Sequence, residues 1–417
     1  MSDMAKKLKE YCTVISGYAF KSKDLSEGTD IPVIKIGNIS NGGNIVIDNS
    51  TQYVKKEFLA IDEKYHIKNG DILISLTGSH MNQPNSMVGR CCRNLDNTVY
   101  LLNQRAGKII PKKTIVRDFL YYVFRLQSIQ YAIANRAYGG ANQVNVSPKD
   151  VMGIKFNIPD IAVQKKIAKV FVAYDSLIEN NKKRIRLLEQ MAESLYKEWF
   201  VRFRFPGYED VEFENGFPKD WEKVKLDDVL NKIATGLNPR KNFVLGEGEN
   251  FYVTIKNMAD NTVYLDNKCD KVNDDAIIKI NKRSDLKIGD LLFSGIGTIG
   301  RVCLIDIPTN NWNISESVFT MRANKKISSE FLFMLLLSQD VQNYCQSKAN
   351  GSAQKGIRMG DLRKYTFLLP TKNVINDFTN QISPILRNVS LLRNENNNLI
   401  QQRDLLLPRL MSGKLEV

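Results

Sequence analysis

Residues 67–75 read IKNGDILIS and residues 286–294 read LKIGDLLFS, so one stretch of the chain occurs twice in closely similar form. The lysine, the glycine–aspartate pair, one leucine and the final serine agree, which gives five identities in nine positions. Agreement of this kind at a shift of 219 residues indicates an internal duplication. A duplication in turn predicts two copies of one fold.

The duplication extends beyond these stretches. The pair Gly89–Arg90 corresponds to Gly300–Arg301 at a shift of 211, so the first copy carries an eight-residue loop insertion, and Pro159 still corresponds to Pro370. Each copy begins with short alternating apolar stretches broken by Gly, Asn and Asp, which is typical of strands and turns, and a helix follows. The sequence therefore predicts an α+β fold with two similar strand-rich α/β domains, at residues 1–159 and 221–370.

Two long helices are predicted after the two corresponding prolines, at residues 160–201 and 371–411. Their apolar residues recur every three or four positions, a spacing suited to knobs-into-holes packing. The seam of the first helix is Ile167, Phe171, Tyr174, Ile178, Asn181, Ile185, Leu188, Ala192, Leu195 and Trp199. Each member recurs 211 residues later, as Phe378, Ile382, Ile385, Val389, Leu392, Asn396, Leu399, Arg403, Leu406 and Leu410.

A helix of about forty residues is roughly 60 Å long, too long for burial in one small domain. We therefore expect the two helices to pair as an antiparallel coiled coil, related by a pseudo-two-fold axis, between the two domains. The alternative is that each seam belongs to the core of its own domain. Residues 202–220 contain Pro206, Gly207, Gly216 and Pro218 and are predicted to form an exposed linker, with 412–417 as a tail.

The register of the helix pair is predicted from its polar members, because a lone polar residue in an apolar seam needs a hydrogen-bonding partner. One register sets Asn181 opposite Asn396, and it also sets Trp199 near Phe378 and Tyr174 near Arg403. The residues expected to carry the pairing are Ile178, Asn181, Ile185, Leu188, Leu392, Asn396 and Leu399.

The composition favours a polyanionic partner, because 59 Lys and Arg against 45 Asp and Glu leave a net charge of +14 that is spread over both halves. The charged start and the absence of a long apolar run predict a cytoplasmic protein. The six cysteines include no CxxC pair and are expected to stay reduced.

Gly295, Gly297 and Gly300 spell GxGxxG after a predicted strand, which would suit a dinucleotide or an S-adenosylmethionine site. Such sites need the third glycine to open a helix, whereas RVCLIDIP follows here and is typical of a strand. A structural turn is therefore favoured. Asn238-Pro239 continues as Arg240-Lys241 and lacks the aromatic end of an adenine methyltransferase motif.

The remaining chemical motifs are also weak. Asp160 precedes a predicted helix and is expected to be its N-cap rather than part of a nuclease site. His66 and His80, the only histidines, are expected in loops or at the surface rather than as metal ligands. We predict no catalytic residue, no metal site and no cofactor.

Candidate DNA contacts lie in paired loops of the two copies. The stretches SLTGSHMNQPNSMVGRCCR and SGIGTIGR contribute the candidates Arg90 and Arg301, and RAYGGANQVNVS and KANGSAQKGIR contribute the others. Arg can bind guanine and Asn or Gln adenine through two hydrogen bonds, whereas Lys mostly contacts phosphates. The candidate residues are Arg90, Arg136, Asn142, Gln143, Arg301, Gln354, Lys355 and Arg358.

The order domain, long helix, domain, long helix resembles the specificity subunit of type I restriction-modification systems along essentially the whole chain. ESLYKEWFVRFRFPG at 193–207 is similar to the end of that family's central helix, and LLLPRLMSGKLEV at 405–417 to the end of its C-terminal helix. GFPKDWEKVKLDDVL at 216–230 is similar to the start of its second recognition domain. The first domain departs from the pattern, because it begins AKKLKEYCTVISG without a tryptophan.

The resemblance implies that each target-recognition domain reads one half of a bipartite, asymmetric DNA target. It implies that the helices dock two modification subunits carrying the methyltransferase chemistry, and that restriction subunits join them to cleave DNA. A rigid helical spacer would then set the number of unread base pairs between the half-sites. The alternatives are a DNA methyltransferase that uses GIGTIG as its S-adenosylmethionine site, and a duplicated scaffold that binds only protein.

Overall fold

The computed structural model describes residues 5–28, 30–79, 88–140, 143–351 and 355–417. These residues divide into two compact units. The first comprises the chain up to Asn181 together with Glu395–Val417, and the second comprises Lys182–Asn394. No helix among the described residues combines the length and the apolar character needed to cross a bilayer.

The first unit contains short strands and three helices in the part of the chain that the structure describes. The strands are β1 (Lys6–Lys7), β2 (Cys12–Ser16), β3 (Ile31–Ile34), β4 (Gln52–Val54), β5 (His66–Ile67), β6 (Ile72–Ser75), β7 (Thr77–Gly78), β8 (Cys91–Arg93), β9 (Tyr100–Leu102), β10 (Ala106–Pro111), β11 (Tyr138–Gly140), β12 (Gln143–Asn145) and β13 (Lys155–Phe156). The helices are α1 (Arg117–Arg125), α2 (Gln127–Ala134) and α3 (Pro148–Met152).

A long helix, α4 (Ile161–Tyr196), follows and continues as a π-helical turn over Lys197–Val201. The strands of the second unit are β14 (Phe213–Glu214), β15 (Phe217–Pro218), β16 (Glu222–Lys225), β17 (Leu230–Thr235), β18 (Asn250–Val253), β19 (Met258–Ala259), β20 (Thr262–Val263), β21 (Asp270–Val272), β22 (Leu291–Ser294), β23 (Val302–Leu304), β24 (Trp312–Ile314), β25 (Val318–Ala323) and β26 (Thr366–Leu369). Its helices are α5 (Asp274–Ser284), α6 (Ser329–Leu337), α7 (Gln339–Lys348) and α8 (Met359–Arg363), and the second long helix is α9 (Lys372–Met411).

The two units share one sheet topology. The main antiparallel sheet has the order β2-β10-β6-β8 in the first unit and β17-β25-β22-β23 in the second. A parallel pair also recurs, as β3 beside β9 and β18 beside β24. The outer strands pair as β1 with β13 and β16 with β26. The predicted α+β class with two similar strand-rich domains is confirmed.

The repeated Gly-Asp pair forms the turn that enters the central strand of each sheet. Gly70 and Gly289 have φ values of +83° and +89°, in the left-handed region that favours glycine. The carboxylate of Asp71 accepts a hydrogen bond from the backbone N–H of Lys68 at 2.9 Å, and Asp290 accepts one from Lys287 at the same distance. These geometric demands explain why the motif is retained in both copies.

One apolar helix packs behind each main sheet. In α1 the consecutive residues Phe119–Phe124 are all buried, and in α6 the residues Phe331–Leu336 are too. A helix buried on every side belongs to the interior of a domain. Helix α1 packs with Ile72, Ile74 and Ile109 of the sheet in one hydrophobic cluster.

The long helices pack antiparallel within each unit. In the first unit, Phe171 near the start of α4 shares a hydrophobic cluster with Leu407 and Leu410 near the end of α9. In the second unit, the end of α4 meets the start of α9, where the rings of Trp199 and Phe378 lie 5.7 Å apart. The expected proximity of Trp199 and Phe378 is confirmed.

The polar part of the predicted register differs in detail. Asn181 Nδ2 donates to Glu395 Oε2 at 3.1 Å rather than to Asn396, and Asn396 Nδ2 donates to the carbonyl of Ile178 at 3.4 Å. The expectation that the two asparagines satisfy each other is therefore wrong, because Asn181 reaches the longer carboxylate one residue earlier. Asn396 Oδ1 is buried and accepts no hydrogen bond from the described residues.

The expected linker is anchored rather than exposed along its whole length. Phe205 is only 3% exposed and stacks on Trp221, with ring centroids 5.3 Å apart. Pro218 is buried in the short hairpin of β14 and β15. Phe205 and Pro218 thus anchor the segment to the second unit by their burial, although most of its polar side chains face solvent.

Candidate nucleic-acid interface

Strand pairing brings the two candidate loops of the first unit together. Strand β12 of the hairpin formed with β11 pairs with β7, which leads into the first candidate loop. Thr77 Oγ1 donates to Asn145 Oδ1 at 2.7 Å across this pair. Stretches that are more than fifty residues apart in the sequence therefore form one edge of the unit.

The predicted residues at this edge are placed as follows. Arg136 is exposed, and its guanidinium donates to the carbonyl of Ala132 at 2.9 Å. Gln143 is exposed in β12. Asn142 lies outside the described residues. Gly139 has a φ of +145°, and a Cβ there would lie 2.5 Å from the carbonyl oxygen of Gln143, so only glycine fits this bend.

The second unit brings its two candidate loops together in a similar way. The backbone N–H of Gly297 donates to the carbonyl of Lys355 at 2.9 Å, and Ile357 donates to Gly295 at 2.8 Å. The side chains of Lys355 and Arg358 are exposed, and Gln354 lies outside the described residues. Arg358 also precedes α8, so its position is fixed by a helix start.

Arg90 and Arg301 differ from the other candidates, because both are half-buried. Arg301 Nη1 donates to the carbonyls of Ile255 and Met258 at 2.9 and 2.6 Å. Its guanidinium thus holds the turn after β18 in place. Burial lowers the pKa of Arg90. A role in DNA contact remains a prediction for both residues. In Arg301, Nη1 already donates to two backbone carbonyls, so only the other nitrogens of the guanidinium could contact DNA.

The GxGxxG segment is a turn between two antiparallel strands, as the sequence favoured. Strand β22 ends at Ser294 and β23 begins at Val302, and no helix opens between them. A Cβ on Gly295 would lie 2.3 Å from the ring of Phe319, and Gly300 has a φ of +92°. Packing and backbone conformation account for both glycines, and the geometry required for a helix-based phosphate site is missing.

Asp160 has the local role that the sequence predicts, whereas His66 lies in a strand rather than in the expected loop. Asp160 Oδ1 accepts a hydrogen bond from the backbone N–H of Val163 at 2.9 Å, which is the N-cap geometry. His66 is half-buried in β5, where it pairs with Leu101. His80 lies outside the described residues.

Sequence reasoning missed Tyr138, which lies in β11 beside the candidate residues and is 62% exposed. Large exposed aromatic side chains are uncommon and are enriched where a protein binds a partner. The available signal was the order basic residue, aromatic residue, two glycines, in the stretch RAYGG.

The predicted pairing residues of the long helices are all buried or half-buried, while other apolar residues of the same helices face solvent. The most exposed within α4 and α9 are Leu177, Leu187, Met191, Leu391 and Leu405, each at least 49% exposed. Exposed leucines along a helix are a feature of surfaces that bind other proteins. The long helices therefore carry exposed apolar residues in addition to those used for pairing.

Comparison with known proteins places these features in a family. A model described as type I restriction modification DNA specificity domain matches residues 1–190 and again 218–402. The chain belongs to this family. The two matches each cover one strand-rich domain and most of the long helix after it, which is the duplication seen in the sequence.

Curated relatives of the family agree. The specificity subunit of type I restriction enzyme MjaIX from Methanocaldococcus jannaschii is 24% identical over 76% of this chain and 73% of its own length. The HindI specificity subunit from Haemophilus influenzae is also 24% identical, over 89% of this chain and 94% of its own. A crystal structure of a type I restriction-modification S subunit from M. genitalium has the same fold, with a TM-score of 0.59, 13% identity and coverage of 98% of this chain and 97% of that one.

Membership of the specificity family supports DNA sequence recognition and disfavours the methyltransferase alternative, whose cofactor motif is a strand-to-strand turn.

Proposed function

We propose that this chain is the DNA-recognition subunit of a type I restriction-modification assembly, and that each strand-rich domain reads one half of a bipartite target. The observation that carries the proposal is similar in both units: backbone hydrogen bonds join two chain-distant loops that carry polar and basic side chains. In the first unit β12 pairs with β7, and in the second Gly297 donates to Lys355. A repeated frame with two different loop sets is suited to reading two different half-sites.

The two loop sets differ in their chemistry. The first offers Arg136, Asn142 and Gln143, and the second offers Gln354, Lys355 and Arg358. Arg90 and Arg301 are half-buried. Because Arg favours guanine while Asn and Gln favour adenine, different arrangements of these side chains select different bases. The target is therefore asymmetric.

The long helices serve as the docking surface for two modification subunits. Their exposed leucines and Met191 supply apolar area that pairing within the chain leaves uncovered. The modification subunits supply the methyltransferase chemistry, restriction subunits join for cleavage, and this chain contributes recognition without catalysis. Acting on cellular DNA, the assembly works in the cytoplasm.

The test is to map methylated adenines in the DNA of cells that contain this chain and its modification subunits. We expect methylation at one asymmetric target with two half-sites at a fixed spacing. The double variant Leu187→Asp, Leu391→Asp should abolish methylation because it prevents assembly with the modification subunits. The control variant Ile288→Asp changes an exposed residue outside the long helices and should leave methylation unchanged. Methylation without sequence preference would contradict the proposal, and S-adenosylmethionine binding by the purified chain would favour the methyltransferase alternative.

A further inference from the structure

Two cations of the first unit are brought together by the parallel pair of β3 and β9. Lys35 directly follows the last residue of β3, and the backbone N–H of Asn103, just after β9, donates to the carbonyl of Ile34 at 3.1 Å. The chain then turns, and the N–H of Arg105 donates to Asn103 Oδ1 at 3.3 Å. Two residues that lie seventy positions apart in the sequence thus project from adjoining turns.

Neither cation is neutralised by a carboxylate of the described residues. Lys35 is half-buried and its Nζ donates to the side-chain carbonyl of Gln52, while Arg105 is exposed. In the part of the chain that the structure describes, no carboxylate forms an ion pair with either side chain. Burial and the nearby charge of Arg105 lower the pKa of Lys35. Two uncompensated positive charges held close together attract an anion.

The pair lies beside the recognition loops. The carbonyl of Arg105 accepts a hydrogen bond from the N–H of Leu76 at 3.0 Å, and the next residue, Thr77, begins β7. Strand β7 is the one that pairs with the hairpin carrying Gln143. A DNA backbone passing along this edge would come within reach of both the hairpin and the two cations.

We propose that Lys35 and Arg105 form a phosphate-binding pair that holds the DNA backbone next to the half-site read by the first unit. The inference rests on the proposed function and adds to it the residues that position the DNA. Contacts of this kind fix the location and orientation of the duplex and are independent of base sequence.

The second unit lacks the pair at the equivalent positions. There, Ser315 donates to the carbonyl of Val253 at 2.9 Å, as Asn103 does to Ile34, and Gly295 donates to the carbonyl of Ser317 at 3.0 Å, as Leu76 does to Arg105. The residues that correspond to Lys35 and Arg105 are therefore Thr254 and Ser317, both neutral. The backbone frame is the same in both units, but the charge is present only in the first.

The test uses the full chain in complex with its modification subunits, and measures binding to a duplex with the methylated target and to a scrambled duplex over a range of salt concentrations. Lys35→Ala and Arg105→Ala should each weaken binding to both duplexes by a similar factor. The slope of log Kobs against log salt should become less steep by about 0.9 for each variant and by twice that for the double variant. Lys113→Ala removes an exposed charge after the far end of β10 and should leave the slope unchanged.

Slopes equal to that of the parent, with unfolding temperatures also equal, would overturn the proposal. A loss confined to the target duplex would overturn it too, because Arg105 would then read a base. If the parent complex binds both duplexes equally at every salt concentration, the proposed function fails first. If the parent complex is sequence-selective and the variants bind as it does, the proposed function stands and only the phosphate-binding role of Lys35 and Arg105 is contradicted.

Discussion

Asp175 in α4 accepts a hydrogen bond from the guanidinium of Arg403 in α9 at 2.8 Å, and both side chains are at least 90% buried. The second carboxylate oxygen accepts hydrogen bonds from Arg93 at 3.0 Å and from Tyr122 at 2.6 Å. One carboxylate thus joins the main sheet, α1 and both long helices of the first unit. At the shift of 211 residues, the second unit has Leu386 and Ala192 instead, and both line an open cavity of about 1090 Å³.

We expect Asp175→Leu to lower the free energy of unfolding of the first unit by about 3 kcal/mol, because it leaves buried arginines without their shared carboxylate. Urea denaturation followed by hydrogen exchange in that unit measures the effect. Asp404→Ala, which removes a half-exposed partner of Arg403, should cost less than about 1 kcal/mol. Equal losses in the two variants would show that the buried carboxylate has no special role.

Replacing Asn396 by Leu should raise the free energy of unfolding by about 1 kcal/mol, because its Oδ1 is buried without a hydrogen-bond donor. Asn181→Leu removes a hydrogen bond to Glu395 and should be destabilising instead. Urea denaturation of both variants checks the difference in sign. Destabilisation by both, with strong coupling between them, would favour direct pairing of the two asparagines.

Arg358→Ala should weaken binding to the target duplex by about 1 to 3 kcal/mol and leave binding to a scrambled duplex nearly unchanged, as expected for an arginine that reads a base. Lys355→Ala, three residues earlier in the same loop, should weaken both complexes alike because lysine mostly contacts phosphates. Titrations at one fixed salt concentration suffice. An equal loss on every sequence would make Arg358 a phosphate contact.

Phe205→Ala should lower the free energy of unfolding of the second unit by about 3 to 5 kcal/mol, because the ring is buried against Trp221. The exposed Phe213→Ala in the same segment should cost far less. A free linker would give nearly no change for either variant, so tryptophan fluorescence during denaturation distinguishes the two descriptions of this segment.

The thiols should resist alkylation in the folded chain. Burial raises the pKa of Cys303 to about 12 and that of Cys345 to about 12. A raised pKa keeps the thiol protonated at pH 8, and the reactive thiolate becomes abundant only as the pH approaches the folded pKa. Iodoacetamide at pH 8 should label neither residue until urea is added, as mass spectrometry would show; rapid labelling in native buffer would contradict this burial.

Much of the fold could be predicted because the chain repeats itself. The matching Gly-Asp turns and the seams repeated at a shift of 211 residues indicate the local structure in both copies. A prediction made for one copy can therefore be checked against the corresponding stretch of the other. The approach of Trp199 to Phe378 followed from heptad spacing together with the register that sets Asn181 opposite Asn396. The partner of Asn181 did not, because side-chain length and rotamer decide between Asn396 and Glu395, and heptad spacing carries no information on either.

The candidate site was less predictable. Residue types in the loops pointed to Arg136, Gln143 and Arg358, but the pairing of β7 with β12 depends on long-range contacts that periodicity does not reveal. Lys35 and Arg105 were missed for the same reason, since each is an ordinary surface cation in the sequence. The guanidinium of Arg301 binds two backbone carbonyls, and residue types alone do not reveal such contacts.

The hydrogen bonds of Leu76 with Arg105 and of Gly295 with Ser317 are made by backbone atoms alone. Changing the side chain of Arg105 or Ser317 leaves these backbone hydrogen bonds in place, so natural variation can alter the chemistry of one unit while the other keeps its own. Over evolutionary time the two units can therefore diverge in the DNA half-site that each prefers, and a lineage can acquire a new target by changing one unit at a time.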